Sequence, residues 1–245
     1  MNNFPAISDP LAMQRFPEAR HRERDALLAL VEITEGMSVV DIQAAGGYMA
    51  DKIFQQYQRQ VTCYCIEPCD ALRQRISPNH IALADPVERF YSLDDGAVDV
   101  VVGLAGLHHS KSHQSTIAEC YRVLKPAGQF AVCDVLDGSN IARWLDEFVD
   151  QHNPAGHSGL FVAPQKTSAL IRSAGFVGVE ETVVNVPWQF PCFDDVMFFF
   201  RSLFGLVCDD KTLRQAIANY FSISDRDDGI EVEWQLLYLS GVKHV

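Results

Sequence analysis

A doubly wound α/β fold on a mostly parallel sheet follows from three features of this 245-residue chain. Apolar runs of strand length alternate with helical patterns between residues 38 and 136, the rhythm of successive βαβ units. Residues 98–104 form one nearly unbroken apolar run, as a central strand buried on both faces does. The turn Asp41-Ile42-Gln43-Ala44-Ala45-Gly46-Gly47 closes one apolar run and opens a helix, and Glu67 ends the next run 26 residues after Asp41. A small-residue turn lets a ligand approach backbone amides, and the helix N-terminus behind it adds positive potential. An acid ending the second strand can accept both hydroxyls of a ribose, near the ~20-residue interval of nucleotide-binding sheets. The combination points to a nucleoside-containing ligand.

Residues 1–35 read as an N-terminal helical arm or lid, most regular over 18–34, where Ala19, Leu27, Leu28, Leu30 and Val31 supply an apolar face. A core over 36–187 follows. Its first strand covers 38–42 and leads to a helix over 48–57; the second covers 61–66 and leads to a helix over 69–76. A short third strand at 80–83 ends near Asp85. After the fourth strand, 98–104, come a helix over 114–124, the stop Lys125-Pro126-Ala127-Gly128 and a strand over 129–136. Beyond Asp137 a helix is expected over 141–151 and a turn-rich stretch over 152–159. The end of another helix, 168–174, then leads through Gly175-Phe176 into a strand reaching Val186. Residues 188–229 read as a helical cap inserted before a last core strand within 230–245, placed at 230–239. In that insert the apolar set of 194–207 wraps most of a helix, which predicts burial on several sides.

Composition narrows the partners. A net charge of −12 and no clustered Lys and Arg argue against a nucleic-acid ligand. No run approaches the ~18 apolar residues of a membrane span. The first residues, Met1-Asn2-Asn3-Phe4-Pro5, lack the pattern of a secretory leader, and seven cysteines fit a reduced, cytoplasmic protein better than a disulfide scaffold. Cys63 and Cys65 would share a face of the second strand, with Cys69 opening the next helix, but no second cluster or neighbouring His completes four ligands, so they read as buried small hydrophobes and no metal is expected.

The order of motifs resembles the class I S-adenosylmethionine-dependent methyltransferases, particularly the small-molecule group that includes quinone-biosynthesis methyltransferases. The resemblance spans about residues 35–186 plus the final strand. Its most specific parts are Val98-Asp99-Val100-Val101-Val102 through Leu107-His108-His109, and Tyr121-Arg122-Val123-Leu124-Lys125-Pro126-Ala127-Gly128, similar to the family's R-V-L-K-P-G-G turn. It implies a seven-stranded sheet with an antiparallel pair at its end, and S-adenosyl-L-methionine as cofactor. Carried over by position, Asp41 and the turn Gln43, Ala45, Gly46, Gly47 would lie beside the methionine portion. Glu67 would hold the ribose hydroxyls, with Pro68 against the adenine. Asp85 would accept from the adenine amino group, Pro86 would flank the ring, and Leu104 would lie under the methyl-bearing sulfur. For each acid the plain alternative is a helix cap or turn residue. The chain departs from the family's G-x-G-x-G at Gln43 and Ala45. The added methyl of Ala45 is awkward if its φ is positive, and the Gln43 amide could clash with the methionine carboxylate, turn outward or hydrogen-bond it.

Methyl transfer from a sulfonium is an in-line displacement, in which the protein aligns the nucleophile and excludes water. An acceptor with a removable proton gains from a base near neutrality, and His108 or His109, after the fourth strand, is the candidate. The same pair could simply pack or cap the next helix. Trp188, Phe190, Phe193 and the phenylalanines near Phe199 would roof the acceptor, suiting a small, partly apolar molecule; core packing or a homodimer face would use them equally well. His21, Arg22 and Arg24 could reach the cofactor carboxylate from the arm, or lie on a solvated face. The reading is a methyltransferase acting on oxygen, nitrogen or carbon. Its rival is a protein of the same fold that binds without transferring methyl, and a nicotinamide-dependent oxidoreductase is disfavoured by the poor match to G-x-G-x-x-G.

Overall fold

Parallel pairing of the first apolar runs places their C-terminal ends along one sheet edge. In the computed structural model, which describes residues 11–245, β1 (Ser38–Ile42) lies between β2 (Thr62–Ile66) and β4 (Val98–Leu104). Its register sets Ile42 beside Ile66 and Asp41 beside Val102. Gln43, Glu67 and Ala105 therefore leave the sheet close together. β3 (Ile81–Leu83) forms one edge, and β5 (Leu124–Val135) extends the sheet on the other side. Then come β10 (Gln235–Lys243), antiparallel to β5, and the edge strand β6 (Phe176–Asn185). The full order is β3-β2-β1-β4-β5-β10-β6, a seven-stranded and mostly parallel sheet with the antiparallel pair at its end.

Helices cover both faces. α3 (Tyr48–Tyr57) starts at Gly47, whose φ of 96° suits glycine alone, and α4 (Asp70–Arg73) is a single turn where the sequence pattern suggested two. α5 (His113–Val123) begins where the Ser112 hydroxyl accepts from the Ser115 amide, a local cap. After β5, α6 (Asn140–Arg143), a π-helical turn (Trp144–Val149) and α7 (Asp150–His152) run on as one helix, and α8 (Lys166–Ser173) packs against β6.

The arm contains α1 (Leu11–Arg15) and α2 (His21–Leu28), shorter than the 18–34 pattern; residues 1–10 of the expected arm lie outside the described residues. The arm is tied to the far end of the chain. The Trp188 indole N–H donates to Glu23, the Tyr238 hydroxyl donates to the Glu23 carbonyl, and the Gln189 amide donates to the Ala19 carbonyl.

The segment after β6 is more than helical. It holds α9 (Phe193–Phe204), ended by Gly205 in the left-handed region, and α10 (Asp210–Tyr220). A second sheet of order β7-β9-β8 joins Trp188–Phe190, Gly229–Val232 and Ile223–Arg226. The run 230–239, expected as one strand, is thus two: Ile230 pairs with Phe190 in the small sheet, and the large sheet resumes at Gln235. The break falls at Glu233, whose amide donates to Ser222, and Trp234, which stacks on Trp188 with ring centroids 3.7 Å apart. Trp188, Trp234, Phe200, Phe204 and Trp144 form the aromatic core beneath α9, each large side chain contributing roughly 1.5–3 kcal/mol by burial. None of the described helices is long and apolar enough to cross a membrane.

Candidate functional site

The glycine-turn backbone survives although two of its glycines do not. φ is 56° at Gln43, 45° at Ala45, 94° at Gly46 and 96° at Gly47. Such angles cost a residue bearing Cβ roughly 1–2 kcal/mol, more than the roughly 0.5–1 kcal/mol entropic cost of glycine. Ala45→Gly is accordingly expected to raise stability by about 0.5–1 kcal/mol, read as a later urea midpoint at constant m-value; an earlier midpoint contradicts the strain.

Glu67 holds this turn in place. Its side chain is buried, with one carboxylate oxygen accepting from the Ala45 amide and the other from the Cys69 amide, both at 2.9 Å. Burial raises its pKa, and the two amides pull in the opposite direction. Each oxygen keeps a second lone pair for another donor.

Asp41 is 2% exposed, and its Oδ2 finds no partner among the described residues. Burial first, and then the neighbouring Glu67 charge, push its carboxyl well up. A site built this way favours an incoming cation or donor. Asp41, Gln43, Ala45, Gly46 and Leu104 line a cavity of about 270 Å³, closed on the arm side by Arg20, Arg24 and Tyr48. Arg24 is buried, with its guanidinium over the Tyr48 ring at 5.1 Å. His21 instead bonds the Glu18 carbonyl, and Arg22 pairs with Glu231.

A second, smaller chamber of about 60 Å³ lies beside the first and shares Arg20, Gln43, Ala45 and Leu104 with it. Glu67, Gly106, His108 and His109 form its floor side, and Leu145, Trp188, Leu203, Phe204 and Trp234 its apolar side. Gln43 belongs to the wall between the two. Its Cβ and Cγ lie against Gly106, where any side chain would meet Gln43 Cβ at 2.4 Å. Its Oε1 is buried without a partner among the described residues. Phe190, Phe193 and Phe199, expected in the roof, do not line the chamber; Phe199 packs against Trp188 and Phe190.

His108 is fixed by an acid the sequence analysis did not single out. Asp134, fully buried in β5, accepts from His108 Nδ1 at 2.6 Å and from the His108 amide at 3.0 Å. Burial alone would raise the Asp134 pKa, but the His108 charge and these hydrogen bonds bring it below its ordinary value. The carboxylate accepts only, so Nδ1 carries the proton and Nε2 the lone pair. Nε2 is buried with no partner among the described residues. His109 lies beside it, ring centroids 4.0 Å apart, and burial followed by the His108 charge holds its pKa well below the usual range.

The remaining expected residues lie elsewhere. Asp85 is buried, but its Oδ2 accepts from the Ser92 amide; Asp85, Pro68, Pro86 and Gly47 line neither cavity, and both prolines are exposed. Cys63 and Cys65 are buried in β2, the Cys63 thiol pushed up to about 12 by burial and then by Asp41.

Residues 40–132 match the family described as "Methyltransferase domain". The hybrid PKS-NRPS synthetase LUC5 of Fusarium sp is 32% identical over 103 residues, 40% of this chain; the match spans only 3% of that protein. Among solved structures, the YcgJ protein of Bacillus subtilis is similar at a TM-score of 0.65 and 18% identity, over 92% of this chain and 99% of that one. Geranyl diphosphate C-methyltransferase of Streptomyces coelicolor A3(2) is similar at 0.62 and 10%, over 96% and 83%. The [4+2]-cyclase SpnF is similar at 0.61 and 13%, over 91% and 80%. The fold is that of these structures, and within it residues 40–132, from β1 into β5, match a methyltransferase domain.

Proposed function

We propose that the protein transfers a methyl group from S-adenosylmethionine to an oxygen, nitrogen or carbon of a small, partly apolar acceptor. The observation that carries this is the His108–Asp134 pair, in the wall of an apolar chamber that adjoins the Asp41 cavity. S-adenosylmethionine, when bound, supplies an electrophilic methyl on sulfur. The chain's own residues fit that ligand. The unpartnered Asp41 oxygen would suit its ammonium, and Arg20 and Arg24, which line the same cavity, would pair with its carboxylate. The backbone around Ala45 and Gly46 gives close approach, and Glu67 retains capacity for ribose hydroxyls. Leu104 borders both cavities, where the methyl would cross.

On the acceptor side, Nε2 of His108 would take the proton of the nucleophile as its bond to the methyl carbon forms and that carbon's bond to sulfur breaks, leaving a neutral thioether, and Asp134 would stabilise the resulting imidazolium. The Trp234 indole N–H, unpartnered among the described residues, offers a donor to an acceptor oxygen. The chamber's narrowness suits a small reactive end carried on an apolar body. Pro68, Asp85 and Pro86 would meet the adenine only on the strength of the family resemblance, since all three lie outside both cavities.

The test is transfer of labelled methyl from S-adenosylmethionine to a panel of phenols, β-dicarbonyls and prenyl or polyketide-like compounds, with calorimetry of cofactor binding alongside. Glu67→Ala is expected to weaken S-adenosylmethionine by about 1–3 kcal/mol, since it removes both the ribose acceptor and the anchor of the Ala45 amide. Unchanged affinity removes that role. A second reading, binding without transfer, is favoured by Gln43, whose side chain occupies the wall the methyl must pass. Cofactor binding with no acceptor methylated, together with transfer appearing in Gln43→Gly, would support it.

A further inference from the structure

We propose that His108, His109 and His157 form a site for one divalent ion of the zinc class. One ring nitrogen from each of the three lies within 4.8 Å of the others. Bonds of about 2.0–2.1 Å to a common ion need nitrogen separations near 3.3 Å, so closure asks only small ring movements. With Nδ1 of His108 committed to Asp134, the lone pair it brings is on Nε2, which is buried and unpartnered among the described residues.

His157 comes from a part of the chain 48 residues beyond His109, and the fold holds it there. The Leu160 amide donates to the His108 carbonyl at 2.7 Å, and the His157 amide donates to Asp150 at 2.9 Å. The Phe161 ring lies nearly parallel to that of His157, 6.1 Å away. Both ring nitrogens of His157 are buried without a hydrogen bond among the described residues, although Asp146 stands 3.4 Å from Nδ1. Three imidazoles backed by two carboxylates are a donor set for zinc, cobalt or nickel and a poor one for magnesium or calcium. The carboxylate behind His108 orients the ring as outer partners of metal-bound histidines do. Three protein ligands leave a fourth position, on the side where His108 and His109 line the chamber. The site does not depend on methyl transfer. It does constrain it, because an ion and an acceptor proton would compete for one lone pair on Nε2. The alternative use of the same residues is ring packing alone, since His108 and His157 centroids are 5.9 Å apart.

The experiment uses untagged full-length protein, with Zn²⁺ alone and then Co²⁺ alone. One zinc per chain should survive desalting, and Co²⁺ should give the intense visible bands of a four-coordinate nitrogen site without thiolate charge-transfer absorption. His157→Phe keeps the stack on Phe161 and removes a ligand. It should weaken zinc by more than the ~10–100-fold that loss of a mere supporting partner costs, while its S-adenosylmethionine affinity and thermal midpoint stay near those of the parent. Failure to retain stoichiometric zinc, or retention undiminished in His157→Phe, overturns the site. Thiolate absorption lost in Cys63→Ala would also overturn it, by moving the ion to the cysteines.

Discussion

Replacing His108 with glutamine is expected to lower kcat for methyl transfer by about 10²–10⁴-fold, the usual contribution of a positioned base. S-adenosylmethionine affinity should remain where it was, because His108 borders the chamber and not the Asp41 cavity. Asp134→Asn sharpens the test. The amide oxygen of asparagine can still accept from the His108 backbone N–H, so the turn after β4 is kept. In that orientation its NH₂ group replaces the oxygen that accepts from both His108 Nδ1 and the Val135 amide, so it would lose the Val135 bond, donate to Nδ1 and drive the ring proton to Nε2, leaving no lone pair toward the acceptor. The loss should therefore approach that of His108→Gln, appear in kcat more than in KM, and shrink for acceptors already ionised at neutral pH. Full activity of His108→Gln with a phenolic or amine acceptor would remove the base from the mechanism.

Which parts of this were legible in the sequence follows from burial. The strands of the parallel half announced themselves because both faces are covered, so 98–104 reads as one apolar run and is found as one strand. His108 was visible as a titratable residue at the ligand-binding edge of such a sheet. Asp134 was also on the page, as a lone acid inside the apolar run Val132-Cys133-Asp134-Val135, but strand periodicity does not say which neighbour a buried acid serves. Arg20 and His157 were hidden for another reason: the Arg20–Glu23 spacing is equally that of an exposed helix pair, and what buries it under Trp188, like what brings His157 to His108, is contact between distant parts of the chain. The run 230–239 misled because an apolar sequence is equally consistent with one strand or with two that enter different sheets. Only the stacking of Trp234 on Trp188 decides it. Ala45 and Gln43 show the limit of glycine arithmetic. The backbone keeps its left-handed turn with Cβ atoms in place, and anchoring by Glu67 accounts for how the strain is held.

Glu23→Ala should cost about 3–5 kcal/mol of stability. Glu23 is wholly buried; it receives Arg20 through Nε at 2.8 Å and Nη2 at 2.6 Å, and the indole N–H of Trp188 on its other oxygen. Truncation leaves a buried guanidinium and a buried indole N–H without acceptors, which is more expensive than the pair was worth. Glu23→Gln separates the two losses, since it still accepts from one donor and should fall between parent and alanine. The double change Arg20→Met with Glu23→Leu should recover most of the stability, because removing both charges removes the unpaired one. Urea unfolding at constant m-value measures all three; a shift of Glu23→Ala within about 1 kcal/mol would mean the pair behaves as an exposed one. The same series bears on function. Arg20 lines both cavities, and its partner Glu23 is what fixes the arm to Trp188 in the chamber wall. If the double variant regains stability yet binds S-adenosylmethionine more weakly, the buried ion pair is retained for the cation it holds at the cofactor, and not for the energy of the fold.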